Sequence, residues 1–316
     1  MSRPAPGPRE LARSYRYCAA VARRQARNFY YSFLVLPRHK RRAFCAIYAF
    51  LRHSDDISDS LDQQHDCASR RRLLAAWRQR LVRALEGDYG DSLLLPAFHD
   101  TIRRFAIPPQ YFFELIDGAE MDLAGFHFRS FQDLHLYCHR VAGVVGLMCL
   151  HVFGFSEADR EEACRRAEAC GIAFQLTNIL RDLREDADRG RIYLPEEDLA
   201  RYGCTPQQLH SGCADDAYYG VVRFEAQRAF GYYKEALPLL GLISADCRPA
   251  LWAMIALYGG ILRHMETGGF PMLRRRVELS DMEKFQILAR AWWMRLHGNA
   301  GRACPPLPWQ SGEFLS

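Results

Sequence analysis

Apolar residues recur at helical spacing along almost the whole chain, and we find no segment in which apolar and polar residues alternate between turn dipeptides. The first pattern predicts amphipathic helices, and the lack of the second argues against strands. We therefore expect an all-α fold. The predicted helices span residues 10–27, 38–60, 67–86, 91–105, 109–123, 130–154, 156–187, 217–241, 246–268 and 280–297.

The length and punctuation of the chain favour one domain. It has 316 residues, 49% of them hydrophobic, which is enough for a sizeable core. No low-complexity linker divides it, so we predict a domain over 10–298 with a flexible N-terminal tail at 1–9 and a loosely ordered C-terminal tail at 299–316. The longest apolar run, 141–155, is shorter than the ~20 residues of a membrane-spanning helix, and no signal peptide is recognisable. We expect a cytoplasmic protein, soluble or peripheral on a membrane.

The charge balance and the cysteines exclude several classes of protein. The chain carries 42 Lys and Arg against 37 Asp and Glu, for a net charge of +5. This mild excess fits an anionic small substrate or an acidic lipid surface at least as well as nucleic acid, and we expect no nucleic-acid partner. The 11 cysteines include no C-x-x-C pair, which indicates neither a disulfide framework nor a zinc site.

Three aspartates follow a helix that is predicted to be buried. Residues 43–51 are apolar on almost every face, and Asp55, Asp56 and Asp59 lie at the C-terminal end of this helix. The helix dipole disfavours anions there, and Asp55 and Asp59 repel each other because they are four residues apart. Two carboxylates on one face are good ligands for a hard divalent cation such as Mg²⁺. The alternative is a solvated acidic helix end.

A second acidic helix repeats this arrangement. In the segment GIAFQLTNILRDLREDA, residues 171–187, the side chains of Gln175, Asn178, Asp182 and Asp186 fall on one helical stripe. A buried stripe of amide and carboxylate groups is costly unless it binds something. The two acidic segments lie far apart in sequence and can therefore face each other across a cavity. The repetition favours a metal site over coincidence.

Basic residues near these segments are suited to hold a diphosphate. Mg²⁺ bound by few carboxylates usually completes its shell with water and phosphate oxygens, and arginine side chains bind the remaining phosphate oxygens. Any one arginine is more simply a surface residue, so the prediction rests on the set. Its members are Arg27, Arg52, Arg181, Arg191, Tyr193, residues 274–277 and Lys284.

The segments NFYYSFLVLP, RRAFCAIYAFLRHSDDISD, YCHRVAGVVGLM and QLTNILRDLREDADRGRIYLPEEDL carry a family resemblance. Together they resemble the squalene and phytoene synthase family of head-to-head prenyltransferases, over roughly residues 14–290. The last segment is very specific to that family. The resemblance implies an all-helical isoprenoid synthase fold, a single helical bundle around a central cavity. It also implies a cluster of about three Mg²⁺ ions that assists the loss of diphosphate from a prenyl donor.

The resemblance further implies roles for individual residues. The catalytic residues are predicted to be Asp55, Asp59, Asp182, Asp186 and Tyr193. The magnesium ligands match Asp55, Asp59, Asn178, Asp182 and Asp186. The positions that contact diphosphate match Arg52, Arg181, Arg276 and Lys284. The pocket positions match Tyr137, Val141, Val145, Gly146, Gln175, Tyr193 and Tyr258.

The length of the prenyl substrate depends on two aromatic rings. Phe29 and Phe33 lie one helical turn apart and are predicted to project into the cavity beside the prenyl tail. Two bulky rings there favour C15 donors and a C30 product, presqualene diphosphate or a squalene-type hydrocarbon, over C20 donors and phytoene. The alternative is that both rings are core residues. Gly143 and Gly146 leave a similar choice between close helix packing and room for a prenyl chain.

The implied reaction joins two prenyl diphosphates through a cyclopropylcarbinyl diphosphate and ends with proton loss or with hydride transfer from NADPH. No G-x-G-x-x-G motif is present, but family enzymes that use NADPH lack one too, so NADPH use stays open. A terpene cyclase would carry serine in place of Asp182. An assembly factor for respiratory complex I would have lost the acidic motifs. We expect an enzyme that is a monomer or weak homodimer.

Overall fold

The computed structural model describes residues 6–59, 67–297 and 304–309 of the chain, without the side chains of residues 27–29 and 59. The prediction of an all-α fold is confirmed, since the described residues contain no β-strand and pair only through an isolated bridge between Phe155 and Ile243. The α-helices in this part of the chain are α1 Pro8–Gln25, α2 Arg27–Leu34, α3 Arg38–Asp59, α4 Cys67–Leu85, α5 Leu95–Phe105, α6 Gln110–Ala124, α7 Phe131–Cys138, α8 Val144–Phe153, α9 Arg160–Arg181, α10 Leu183–Asp188, α11 Glu196–Tyr202, α12 Pro206–Ser211, α13 Asp216–Ala236, α14 Leu239–Leu242, α15 Arg248–Thr267 and α16 Asp281–Leu296.

Several of these helices differ from the sequence-based expectation. Helices α2, α11 and α12 are short and were not predicted, because six to eight residues carry too little periodicity to detect. The predicted helix 130–154 is interrupted by a π-helical turn at His139–Gly143. The predicted helix 156–187 is divided at Asp182, which has φ −99° and ψ 11°.

Helix α3 lies inside the core, as its apolar faces predict. Phe50 is fully buried and stacks on Phe98 of α5 at a ring-centroid distance of 4.4 Å. The same ring contacts Trp77 of α4 at 5.0 Å and Phe112 of α6 at 5.3 Å. The buried half of α3 is therefore fixed from three sides, and this packing sets where its acidic end emerges.

Helix α9 is the second central helix, and it contacts α8, α13, α15 and the π-helical turn. The break at Asp182 does not disrupt its acidic stripe. The backbone N–H of Asp182 donates to the carbonyl of Asn178, and that of Asp186 donates to the carbonyl of Asp182, each at 2.9 Å. The three side chains thus keep the helical spacing through the break.

Two glycines allow α8 and α9 to approach each other closely. A Cβ on Gly146 would lie 2.1 Å from the carbonyl oxygen of Ala167, and one on Gly171 would lie 2.1 Å from that of Ala142. Both contacts are with backbone, which cannot rotate away. Gly146 therefore serves close helix packing, which was one of the two expectations for it.

The segment after α16 also contributes to the core. Trp309 is 5% exposed and lies against Gly259 of α15, and the indole of Trp252 donates a hydrogen bond to the carbonyl of Pro305 at 2.9 Å. Residues 304–309 are thus packed, although they fall within the C-terminal tail predicted to be loose. The domain boundary of 10–298 stays a prediction.

By length and composition alone, Phe131–Phe153 is apolar enough to cross a membrane, but half of the relevant window is buried inside the protein. This stretch contains the π-helical turn and packs against α6 and α9. Such burial is typical of a core helix, so the stretch is weak support for a membrane span.

We expect Gly171→Ala to lower the free energy of unfolding by about 3 kcal/mol or more, because the added methyl group forces the π-helical turn and α9 apart. The matched control is Gly231→Ala in α13, where a Cβ meets nothing within 4 Å and alanine favours the helix by roughly 0.5–1 kcal/mol. Urea unfolding of the two variants measures the difference. Equal stability of the two would contradict the packing argument.

Candidate active site

A polar cavity of about 510 Å³ lies between the acidic ends of α3 and α9. Residues from α6, α7, α10 and α15 and from the segment before α16 complete its wall. The lining residues that the sequence had singled out are Arg52, Asp55, Tyr137, Val141, Gln175, Asn178, Arg181, Asp182, Asp186, Arg191, Tyr193, Tyr258 and Arg276. The two acidic segments therefore do face one cavity.

Asp182 is held between two arginines. The guanidinium of Arg181 donates to both oxygens of Asp182, at 2.8 and 2.6 Å, and Arg276 lies 3.1 Å from one of them. Burial acts to lower the pKa of Arg181, but the hydrogen bonds and charge of Asp182 outweigh it and raise that pKa above its ordinary value. Arg276 also donates to Glu185 at 3.1 Å. These ion pairs fix the acidic end of α9 against the segment before α16.

The other two members of the α9 stripe are less satisfied. Burial, and then the neighbouring Asp182 carboxylate, raises the pKa of Asp186 to about 7. The side-chain oxygen of Asn178 is buried and has no hydrogen-bond partner, while its amide nitrogen lies 3.5 Å from the oxygen of Gln175. An acceptor oxygen left without a donor in a buried position is costly, and a cation satisfies it.

The α3 side of the cavity combines a carboxylate and a guanidinium. Asp55 lines the cavity and is exposed to it. Arg52 pairs with Asp56 across one helical turn at 2.5 Å, and its Nε is buried without a hydrogen-bond partner. This pairing with Asp56 was not predicted, because the sequence analysis assigned roles to Asp55 and Asp59 and none to Asp56.

Two tyrosines and Asp122 form the wall opposite the arginines. The hydroxyl groups of Tyr137 and Tyr193 donate to the two oxygens of Asp122, at 3.1 and 3.0 Å, and the rings stack with centroids 5.2 Å apart. Burial, with the charge of Asp122 second, raises the pKa of both phenols above the ordinary value. Both hydroxyl groups are therefore neutral donors at neutral pH.

An apolar cavity of about 270 Å³ adjoins the polar one. Tyr48, Asp55, Val141, Gln175 and Asn178 line both cavities. The apolar cavity continues past these shared residues between α3, the π-helical turn, α8, α9 and α15. Its other lining residues include Phe33, Phe44, Leu51, Val145, Gly146, Cys149, Phe153, Phe174, Leu251 and Met254. One end of the combined space is therefore charged and the other is apolar.

The described lining of the two cavities does not include four predicted site residues. The side chains of Arg27, Phe29 and Asp59 lie outside the described residues. Lys284 is described but is absent from the lining of the cavity: it lies on α16, where its ammonium group pairs with Asp281 at 3.3 Å. The chain brings Arg276, but not Lys284, to Asp182, and the expected contact of Lys284 with diphosphate stays a prediction.

Tyr48, Asp122 and Glu185 are among the lining residues that the sequence analysis missed. Asp122 has no acidic partner at helical spacing on α6, so no pattern marks it. Tyr48 lies within the apolar run of α3 and reads there as a core residue. Glu185 lies between Asp182 and Asp186 and is not part of the four-residue spacing that marked them.

Opposite charges nearly balance around the polar cavity. Five guanidinium groups and six carboxyl groups line it among the described residues. No group of three or more His, Cys, Asp and Glu side chains in this part of the chain is arranged to hold a metal ion by itself. A diphosphate carries several negative charges, so the described side chains alone offer it little net attraction.

His139 fixes the π-helical turn beside the cavity. Its Nδ1 lies 2.6 Å from a carboxylate oxygen of Glu168 on α9, and its Nε2 lies 3.1 Å from one of Glu114 on α6. The hydrogen bond that the His139 imidazolium donates to Glu168 is the main cause that raises the pKa of His139 above 6.5. The same bond lowers the pKa of Glu168. This imidazolium pair joins three elements where Val141 enters both cavities.

Comparisons with known proteins agree with this geometry. Residues 22–283 match the family model described as squalene/phytoene synthase. The chain is 36% identical to a 15-cis-phytoene synthase of Synechococcus elongatus over 90% of this chain and 94% of that protein. It is 37% identical to a phytoene synthase of Mycobacterium tuberculosis, over 97% of this chain and 99% of that protein.

Solved structures give the same result. A dehydrosqualene synthase in complex with a ligand superposes with a TM-score of 0.80 at 29% identity, covering 90% of this chain and 96% of that one. The squalene synthase HpnC of Alicyclobacillus acidocaldarius superposes with a TM-score of 0.75 at 28% identity, covering 84% and 97%. The fold is thus that of an all-α isoprenoid synthase. The chain belongs to the squalene/phytoene synthase family and is a transferase that joins prenyl diphosphates head to head.

We expect His139→Gln to destabilise the protein by roughly 1 kcal/mol in a pH-dependent manner. The raised pKa of His139 means that its contribution is complete below pH 6.5 and is lost as pH rises through the folded-state value. Because the pKa of Glu168 is lowered from 4.5, its contribution to the free energy of unfolding is complete only above pH 4.5. The difference in unfolding free energy from the unmodified protein should therefore be largest between these two values.

Urea unfolding at about pH 5.5, 7 and 8.5 measures this dependence, because these pH values lie below and above the ordinary histidine pKa. The control is His127→Gln, whose side chain is 84% exposed and lies 3.8 Å from its nearest carboxylate. A difference for His139→Gln that does not change with pH would show that the imidazole acts by packing alone.

Proposed function

We propose that this chain condenses two C20 geranylgeranyl diphosphates head to head to form phytoene. The observation that carries the head-to-head reaction is the pair of acidic segments on α3 and α9 that face one cavity, with an apolar cavity adjoining it. The relatives named phytoene synthase, at 34–37% identity over at least 89% of this chain, support the C20 donor. The substrate class is thus a pair of prenyl diphosphates.

The residues present fit divalent metal ions. Asn178 supplies a buried oxygen that has no donor, and Asp55, Asp182 and Asp186 supply carboxylates around the same space. Oxygen ligands of this kind suit Mg²⁺, which takes its remaining ligands from water and phosphate. We propose that these four residues, with Asp59, hold Mg²⁺. When bound, the metal supplies positive charge that stabilises the departing diphosphate.

The arginines bind and orient the diphosphate. Arg52 has a buried Nε without a partner, and Arg181, Arg191 and Arg276 line the same cavity. Guanidinium groups donate paired hydrogen bonds to phosphate oxygens, so they fix the C1–O bond of the donor near the mouth of the apolar cavity. The ion pairs of Arg181 and Arg276 with Asp182 keep these groups in place before the substrate binds.

The remaining lining residues protect the cation that forms when diphosphate leaves. The stacked rings of Phe174 and Tyr258, with centroids 4.7 Å apart, lie beside this region, and aromatic faces attract positive charge. Val141, Val145 and Gln175 shape the space for the second prenyl chain, whose double bond attacks the cation. Tyr137 and Tyr193 donate their hydroxyl hydrogens to Asp122, so each phenol oxygen keeps its lone pairs to accept a hydrogen bond from water or another donor in the cavity.

A second candidate is condensation of two C15 farnesyl diphosphates to a C30 product. Phe33 favours it, because this ring is 5% exposed, lines the apolar cavity and limits its length. The ring also packs on Phe44 at 5.2 Å, so it is a core residue at the same time. The matching structures of a dehydrosqualene synthase and a squalene synthase agree with this donor.

Three further features belong to the proposal. Phytoene formation ends with proton loss and needs no hydride, and nothing in the comparisons supports a requirement for NADPH. The apolar product supports a cytoplasmic protein that contacts a membrane peripherally. Both acidic motifs are intact and the similar proteins are named as enzymes, so an assembly role has no support here.

We expect Asp182→Asn to lower turnover by about 10²-fold or more, since it removes charge from the metal ligands and from the Arg181 pair. Far-UV circular dichroism should stay unchanged. The matched control is Asp188→Asn, also on α10, whose side chain is 53% exposed and pairs with Arg184. Release of diphosphate measures turnover. Full activity of an Asp55→Asn/Asp182→Asn variant would exclude the metal-site assignment.

The donor is identified by incubating the protein and Mg²⁺ with farnesyl or geranylgeranyl diphosphate, with and without NADPH, and analysing the extracted products before and after phosphatase treatment. We expect phytoene from the C20 donor without NADPH. A C30 product alone would select the second candidate. Diphosphate release without any coupled product from either donor, hydrocarbon or cyclopropylcarbinyl diphosphate, would contradict head-to-head condensation.

A further inference from the structure

Helix α16 is apolar on two opposite faces. Ile287, Ala291 and Met294 are buried against the rest of the protein. The other face exposes five large apolar side chains, each between 38% and 74% exposed, namely Met282, Phe285, Trp292, Trp293 and Leu296. At 3.6 residues per turn these five fall within about 100° of the helix surface. We call this set the α16 stripe.

A cluster of arginines lies near the stripe, on the other side of α2. Arg295 of α16 donates to the carbonyl oxygens of Leu34 and Val35 at the end of α2, so the two helices are in contact. Leu34 also lines a separate cavity of about 310 Å³. Its basic lining residues, which we call the arginine pocket, are Arg16, Arg38, Arg41 and Arg42.

The arginine pocket lacks compensating negative charge. Within the described part of the chain none of its four guanidinium groups forms an ion pair, and Arg42 only lies over the ring of Tyr15 at 5.8 Å. Some other surface arginines do have a carboxylate partner, as with Arg160, Arg165 and Arg184. Four unpaired cations beside one another attract an anion or an anionic surface.

Aromatic and aliphatic side chains beside basic ones are the composition of a membrane-surface helix. Such helices insert an apolar face between lipid headgroups, and nearby arginines bind anionic lipids. Tryptophan is favoured at this depth because its ring is amphipathic. Tyr31, which is 55% exposed, adds another exposed aromatic ring on α2.

We propose that the α16 stripe and the arginine pocket together form a docking surface for an anionic lipid membrane. Helix α2 connects this surface to the active site, because Phe33 on its inner side lines the apolar cavity. A hydrocarbon product formed there is thus one helix away from the lipid. That last point rests on the proposed function, whereas lipid binding itself does not.

The test is flotation of the full chain with vesicles of phosphatidylcholine alone and of phosphatidylcholine mixed with phosphatidylglycerol. We expect the protein to float with the anionic vesicles and to float less with the neutral ones. Phe285→Ser/Trp293→Ser should reduce binding to the anionic vesicles by at least about ten-fold. The control, Leu73→Ser/Leu136→Ser, changes two equally exposed leucines on α4 and α7 and should bind like the unmodified protein.

Arg38→Gln/Arg42→Gln tests the charge separately. Each arginine removed should weaken binding to anionic vesicles roughly five-fold and leave binding to neutral vesicles unchanged. The control Arg71→Gln/Arg223→Gln makes the same change in net charge at two exposed positions outside the pocket. Equal losses in the two arginine variants would show that net charge alone attracts the protein and would overturn the assignment of the pocket.

Other outcomes would also overturn the proposal. One is an unmodified protein that stays at the bottom of the gradient with both kinds of vesicle. Another is a dimer in size-exclusion chromatography that Phe285→Ser/Trp293→Ser converts to a monomer, because a second copy of the chain would then cover the stripe. Circular dichroism checks that α16 is still folded. Asp182→Asn should float like the unmodified protein, so failure of catalysis and failure of docking are distinguishable.

Discussion

The position of Asp182 between Arg181 and Arg276 is the interaction on which the site depends. These groups are partly buried, and a buried carboxylate or guanidinium is stable only with its partner. The two ion pairs of Asp182 lie at the break between α9 and α10 and connect both helices to the segment before α16. Removing the charge of Asp182, or that of its arginines, would therefore leave the remaining charged group partly buried without a partner. The same contacts thus maintain the local fold and hold the arginines that are proposed to bind diphosphate.

The close contact of α8 with α9 has a comparable effect on the apolar side. Gly146 and Gly171 let the two backbones approach to a distance that any side chain would prevent. The π-helical turn precedes this contact, and His139 holds the turn through Glu114 and Glu168. Since Val141 lies in that turn, the shape of the substrate space depends on backbone packing and on one imidazolium pair, both outside the cavity.

The sequence predicted the parts of the site that follow from helical periodicity. The stripe at Asn178, Asp182 and Asp186 needs only a 3.6-residue repeat, and the repeat survives the break at Asp182. The break itself was not predictable, because helical periodicity contains no information on the contacts of Asp182. One partner, Arg276, is distant in sequence, and the other, Arg181, lines the cavity. Asp122 was missed since its two tyrosine partners come from α7 and from the segment before α11. Lys284 was singled out by a spacing motif, which contains no information on the turn before α16, so its role in binding diphosphate stays a prediction.

The charge balance of the polar cavity links the binding of metal and substrate. Five guanidinium groups already face six carboxyl groups, so a bare diphosphate meets little net positive charge. A metal ion alone meets a carboxylate pair in which burial and Asp182 keep Asp186 partly protonated at neutral pH. On the proposed function, a bound metal ion would favour the deprotonated form of Asp186, and phosphate oxygens would complete its ligand shell. Each of the two would then supply the charge that the other requires, so the composition of this cavity favours the binding of both over the binding of either alone.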